Sequence, residues 1–247
     1  MSDPDSRDVV IAGGGVSGLT AGIFTARAGL ETLIVTDNRS ILERNAHLEN
    51  VPGFPAGVNS RLFLSMTRDQ ATCAGCSFVE DTVTNVEETD DGFAVHAEDG
   101  VYLSTRVVAA SWSDADYLDG LDVDLEKRGS KRFVLPEPDG RTAVEGLYAA
   151  GRIADQYHQT VVAAGHGAQV GLSVIHDSEV PFYHDWVAPE GYFTGRGREV
   201  PPGCEEIDEA ERARRERESM ETMQSYFAEP HPETPVQHPS VRDEGGD

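Results

Sequence analysis

The sequence predicts an α/β fold in three layers, a mainly parallel central sheet covered by helices, with a small antiparallel β-meander attached. Three observations carry this. Residues 8–13, DVVIAG, are a short apolar, β-branched run without alternation, the pattern of a strand buried on both faces of a parallel sheet. Glycines follow at once and open SGLTAGIFTARAGL, which has small and apolar residues at helical spacing and stops at Gly29, a natural C-terminal cap. ETLIVTD at 31–37 is a second buried strand, so strand, glycine turn, helix and strand fall within about 30 residues and make a right-handed βαβ unit of Rossmann type.

The remaining elements follow in order. Residues 38–59 read as an irregular loop: Pro52, Gly53, Pro55 and Gly57 exclude regular structure, and the polar side chains suit a ligand-facing role. RLFLSMTRDQATCAG has amphipathic spacing and predicts a helix stopping near Gly75. From residue 77 three strand-like runs, separated by the turn signals DDG and EDG, predict an antiparallel meander leading into the buried strand RVVAAS. Residues 112–145 are broken and polar; EGLYAAG at 145–151 is another short buried strand, and the small-residue run QTVVAAGHGAQVGLSVIHD predicts a helix able to approach its neighbours closely. Residues 1–185 are expected to form one nucleotide-binding domain. Residues 186–247 are expected to be an acidic appendage: a Pro/Gly-rich connector, a charged helix at 205–229 with i,i+4 acid–base pairs, and a disordered end. No internal repeat is present.

Composition narrows the function. With 44 Asp and Glu against 20 Lys and Arg the formal net charge is −24, which would repel nucleic-acid phosphates. Only Lys127 and Lys131 are lysines. The acids are spread along the whole chain, the pattern of a protein adapted to molar salt; an ordinary acidic protein is the alternative. No apolar run approaches the roughly 20 residues of a membrane span. The N-terminus lacks the features of a signal peptide, and Cys73, Cys76 and Cys204 are too few for a disulfide framework, so a cytoplasmic location is expected.

Gly13-Gly14-Gly15-Val16-Ser17-Gly18 satisfies G-x-G-x-x-G between a buried strand and a small-residue helix. That context gives Gly13 the tight turn, Gly15 the close approach of a pyrophosphate and Gly18 the helix–strand packing. The pyrophosphate would lie on the amides and positive dipole of the helix N-terminus. A ribose-binding acid is due about 20 residues on. Asp37 nearly fits; Thr36, at the strand end itself, is the alternative contact. Cys73-Ala74-Gly75-Cys76 is a CxxC without a second ligand pair for zinc, and reads either as a dithiol or as two ordinary cysteines. His47, His158 and His166 have no partner constellation for acid–base work, and no catalytic residue is assigned.

Four stretches, IAGGGVSGLTAGIFTARAGL, LENVPGFP, DTVTNVE and GLYAAGRIADQYHQTVVAAGHGAQVG, occur in an order that resembles the thioredoxin-reductase-like family of FAD-dependent pyridine nucleotide oxidoreductases. The resemblance implies FAD as cofactor and an oxidoreductase function. It implies that Asn50 and Pro52 lie in the loop wrapping the flavin, with Arg44 and Asn45 nearby for phosphate or ribose. It also implies that Val83 offers backbone contacts to the adenine, that Gly151 turns under the ribityl chain, and that Gln159 starts a helix facing the flavin. Two departures stand out. Where the family has an aspartate after the glycine, this chain has Arg152, which only donates; it either grips the pyrophosphate or marks weakened FAD binding, with Asp155 an imperfect substitute. Where the family inserts a second nucleotide domain carrying its redox CxxC, this chain has only residues 112–145. The expected partners are therefore an electron-donor protein or a free nicotinamide nucleotide; a homodimer is a separate expectation, and the sequence leaves the oligomeric state open. The rival expectation is a non-catalytic nucleotide-binding or assembly protein.

Overall fold

A computed structural model describes residues 6–238 and 241. In chain order the elements are β1 (Arg7–Ala12), α1 (Val16–Arg27), β2 (Thr32–Thr36), α2 (Ser60–Ala74), β3 (Ser77–Glu80), β4 (Val83–Thr89), β5 (Gly92–Ala97), β6 (Val101–Ala109), β7 (Leu125–Arg128), β8 (Lys131–Val134), β9 (Leu147–Ala149), α3 (Thr160–His176), β10 (Trp186–Pro189), β11 (Cys204–Ile207) and α4 (Glu209–Tyr226). The main sheet runs β3-β2-β1-β6-β5-β4, with β9 also on β6. Its β3, β2, β1, β6 and β9 are parallel, and β4, β5 and β6 pair antiparallel. Strand β6 joins the two halves: Val101–Ser104 face β5, while Val107–Ala109 face β9.

The βαβ unit, both long helices and β9 stand where the sequence predicts them. Three expectations are corrected. The run at 77–80 is not part of the meander; it pairs parallel with β2, from Leu33↔Ser77 to Thr36↔Glu80, because α2 returns the chain to that edge as a second crossover. An alternating pattern marks a strand without saying which neighbour it takes. Second, residues 112–145 hold a β7–β8 hairpin, with Gly129 at φ 66° in its two-residue loop and Phe133 and Val134 buried. Third, the Pro/Gly-rich connector contains β10, which pairs parallel with β11, the latter built from the start of the expected charged helix. The Glu206 carboxylate ties this small unit together by accepting the Gly191, Phe193 and Thr194 amides.

The core lies on both faces of the sheet. Val9, Ile11, Ile34 and Val108 point to the α1–α3 side, and Val10, Leu33, Val35 and Val107 to the side closed by Phe93, Tyr117, Leu118 and Ile153. On the first side α1 and α3 meet backbone to backbone, since a Cβ at Gly167 would lie 2.2 Å from the Ser17 carbonyl. Helix α4 is capped by Asp208 and laced by Arg212–Glu216 and Arg214–Glu218 pairs, and buries no residue. It reaches the rest of the molecule at its end: the Tyr226 hydroxyl donates to Asp69 (2.6 Å), Phe227 meets Phe54 (6.3 Å between centroids) and the Val236 amide donates to the Glu43 carbonyl (3.1 Å). Of the stretch expected to be disordered, residues 239, 240 and 242–247 lie outside the described residues.

Candidate nucleotide-binding cleft

At the carboxyl ends of β1, β2 and β6, where open α/β sheets bind ligands, lies a cleft of about 750 Å³. One wall is the glycine turn. Gly13 has φ 122°, and a Cβ there would lie 2.7 Å from the Ala110 carbonyl. A Cβ on Gly18 would fall 2.0 Å from the Gly13 carbonyl, so only glycine lets α1 seat against the strand ends. At Gly15 a Cβ would meet nothing within 4 Å: it would project into the open cleft. Gly13 and Gly18 thus shape the turn, and Gly15 keeps the space before it clear.

Two helix N-termini converge here. Helix α1 starts after Gly15 and α3 after Gln159; neither has a side-chain cap nor an acidic residue in its first turn. The first intrahelical amide of α1 is that of Leu19 and of α3 that of Ala163, so the preceding amides are left for a ligand. In a chain with 44 acids this contrasts with α4, which is capped by Asp208 and carries Glu209 and Glu211 in its first turn. The bare ends form an anion site with the dipole aimed at it.

Of the residues expected from the sequence, Gly13, Gly15, Val16, Ser17, Thr36, Asp37, Asn45, Asn50, Val83, Arg152 and Gln159 line the cleft. Asn50 and Gln159 bridge it, with Asn50 Nδ2 donating to Gln159 Oε1 at 2.7 Å. Asp37 lines it while binding the Arg39 amide (3.0 Å) and guanidinium (2.9 Å); Thr36 Oγ1 accepts the Asn38 amide and sits behind Gly14. Gly18, Arg44 and Gly151 do not line the cleft. Arg44 is exposed at the end of a short 3₁₀ turn, and Gly151, at φ 75°, packs against Ser17.

Behind Gly151 stands the buried His166. Its Nδ1 accepts the Gly151 amide at 2.9 Å, so the proton resides on Nε2, which has no partner among the described residues; burial lowers the His166 pKa. His166 therefore fixes the turn after β9. Arg152 donates to the Gln156 carbonyl (2.9 Å) and stacks over Phe133 (4.8 Å), while Asp155 pairs with Arg128 at 2.7 Å and is not a cleft residue. Cys76 is buried and its thiol is pushed up to about 12 by burial, whereas Cys73 is exposed; both are free.

Sequence reasoning missed Arg39, Asp81, Trp112, Asp114, Tyr117 and Tyr157 as cleft residues. Asp81, buried, receives the Thr82 amide (2.8 Å) and the Tyr102 hydroxyl (3.1 Å) and holds the bend before Val83. Trp112 had one available signal: it lies just beyond a parallel strand's carboxyl end. The others come from loops whose course no local pattern states.

The residues fit FAD, having two free helix N-termini, an open Gly15 and a cleft in the size range of cofactor sites. The same region, residues 8–41, matches the FAD binding domain family model. Among curated proteins, thioredoxin reductase from Aquifex aeolicus (strain VF5) is 36% identical over 115 residues, 45% of this chain and 36% of that protein. The Escherichia coli O157:H7 thioredoxin reductase is 26% identical over 174 residues, 64% of this chain and 54% of that one. The chain thus spans about a third to a half of the length of these relatives. Among solved structures, a thioredoxin reductase from Gloeobacter violaceus superposes with a TM-score of 0.64 at 16% identity, covering 70% of this chain and 96% of that one. The thioredoxin reductase of T. acidophilum gives 0.64 at 15% identity, covering 70% and 99%. The chain is thus similar in sequence to thioredoxin reductases over part of its length and shares their fold. The cofactor these matches imply is FAD.

Proposed function

We propose that the chain is an FAD-dependent oxidoreductase that takes electrons from a partner protein or a diffusible donor such as a free nicotinamide nucleotide, the segment between β6 and β9 holding no second glycine-turn nucleotide unit among the described residues. The observation that carries the reading is the pair of bare helix N-termini facing one cleft across an unobstructed Gly15. Gly13 to Ser17 and the α1 amides would hold the pyrophosphate, Asp37 or Thr36 the ribose, Val83 the adenine, and Asn50 and Gln159 the flavin end. FAD supplies the redox chemistry when bound; the chain orients it, and the α3 N-terminus favours negative charge on the reduced ring.

The external donor is supported by residues 112–145, which fold as a hairpin and loops between β6 and β9 and not as a second glycine-turn βαβ unit. A dithiol role for Cys73 and Cys76 has little support, since Cys76 is buried with a raised thiol pKa. Location in the cytoplasm of a salt-adapted cell fits the composition, and assembly as a homodimer belongs to the same proposal. A second reading, a nucleotide-binding protein without redox function, is favoured by one observation: Arg152 offers donors where the family offers an acceptor, and Asp155 is committed to Arg128.

The test is an absorption spectrum of the full chain in multimolar salt, followed by acid release of any nucleotide. Released FAD at about one per chain is the expected result. A colourless protein that refuses added FAD, but gains it in Arg152→Asp, would establish the second reading.

A further inference from the structure

We infer that Trp112, Lys131, Arg152 and His158 form a second ligand site on the lip of the cleft, one that takes the oxyanion of a small planar molecule. Its role as the place where the flavin's reaction partner docks rests on the FAD reading; the anion site itself rests on this geometry. The four side chains come from three segments: the loop after β6, strand β8 and the turn after β9. The Trp112 ring has His158 edge-on at 4.5 Å and the Lys131 ammonium 5.9 Å from its centroid. Lys131 and Phe133 share one face of β8, and Arg152 lies over the Phe133 ring at 4.8 Å, so the hairpin brings the two cations to the same side. Both are close enough to help hold the His158 imidazole below its usual pKa, after burial as the larger cause.

The nearby acids are already engaged. Asp155 pairs with Arg128, Asp116 and Asp119 pair with Arg132, and the Asp114 carboxylate, which lines the cleft, accepts the Asp116 amide. Among the described residues Lys131 has no ion pair, and Arg152 uses only Nη1, toward Gln156 and Asp155, leaving Nη2 and Nε free. Two under-used cations thus sit within electrostatic reach of His158, Lys131 beside Trp112 and Arg152 over Phe133, on a chain of net charge −24. A guanidinium with two free donors suits a phosphate or carboxylate, and the Trp112 indole, flanked by His158 and Lys131, suits a planar ring. On so acidic a chain, two cations without a full set of acid partners at the cleft rim favour an anion landing there.

The experiment loads the full chain with FAD at the lowest salt that keeps it folded, then titrates AMP and benzoate by calorimetry while the absorption spectrum follows bound FAD. AMP and benzoate carry the two oxyanion sources on planar rings. The expected result is that at least one binds, that FAD stays bound, that added salt weakens the binding, and that Lys131→Ala weakens it about fivefold without changing FAD content. Binding of AMP alone assigns a phosphate ligand, and of benzoate alone a carboxylate. The inference is overturned if neither ligand binds, if binding expels FAD, or if Lys131→Ala binds as tightly as the wild type. A chain that takes no FAD defeats the parent reading instead, and benzoate titrated into the flavin-free chain and its Lys131→Ala variant then decides the anion site alone.

Discussion

The two walls of the cleft are built on different principles. The glycine-turn wall is backbone: Gly13 and Gly15 present carbonyls, amides and empty space, Gly18 packs behind them, and its shape follows from where a Cβ cannot go. The opposite wall, from Arg152 to Gln159, is side chain. It depends on a buried histidine holding the Gly151 amide, an arginine stacked on Phe133, and an amide bridge from Gln159 to Asn50. A backbone wall tolerates no substitution at its contact points and is indifferent to its surroundings. A side-chain wall can be re-equipped residue by residue, and this one departs from the thioredoxin-reductase-like pattern at Arg152.

Substitutions on the two walls sharpen that contrast. The largest effect is expected from Gly18→Ala, whose methyl would sit 2.0 Å from the Gly13 carbonyl; overpacking against backbone should cost about 3 kcal/mol of stability, read as a lowered denaturation midpoint. A Gly18→Ala protein of wild-type stability would contradict the backbone account. Gly15→Ala is the discriminating partner. Its methyl meets nothing in the flavin-free chain, so stability should change by less than about 1 kcal/mol, while FAD affinity falls about a hundredfold through collision with the pyrophosphate. If Gly15→Ala retains full FAD affinity, the pyrophosphate does not lie where the helix amides point. The smallest effect belongs to the side-chain wall: Asn50→Ala removes one exposed hydrogen bond to Gln159 and should loosen FAD a few-fold in a fluorescence titration while lowering stability by no more than about 1 kcal/mol. A loss as large as that of Gly15→Ala would give the side-chain wall a greater share of cofactor binding than its geometry suggests.

The legibility of each wall in the sequence follows the same division. The G-x-G-x-x-G run is readable because each glycine answers a local steric demand within a few residues, and the flanking β-branched strand and small-residue helix state their own burial. Helices α2 and α3 were readable for a similar reason, the first ending at Gly75 in the left-handed region and the second showing its close-packing face in Gly167 and Gly171. Strand β3 was legible as a strand but not as a parallel edge, since its partner is chosen by the crossover through α2. The β7–β8 hairpin was not legible: its polar loop and exposed basic residues hide the two apolar anchors, Phe133 and Val134, that bury it.

What the sequence by itself determined is the βαβ unit, the bare α1 N-terminus and the acidic character of the chain, because periodicity, glycine sterics and charge act over short range or by simple sum. What only the tertiary structure decided is which distant groups meet: Asn50 with Gln159, His166 with Gly151, and Lys131 with Trp112 and His158. Those meetings depend on how the 38–59 loop, the hairpin and the turn after β9 pack over the sheet ends. Such packing is settled by the summed burial of the whole core, and no single segment of the sequence carries it.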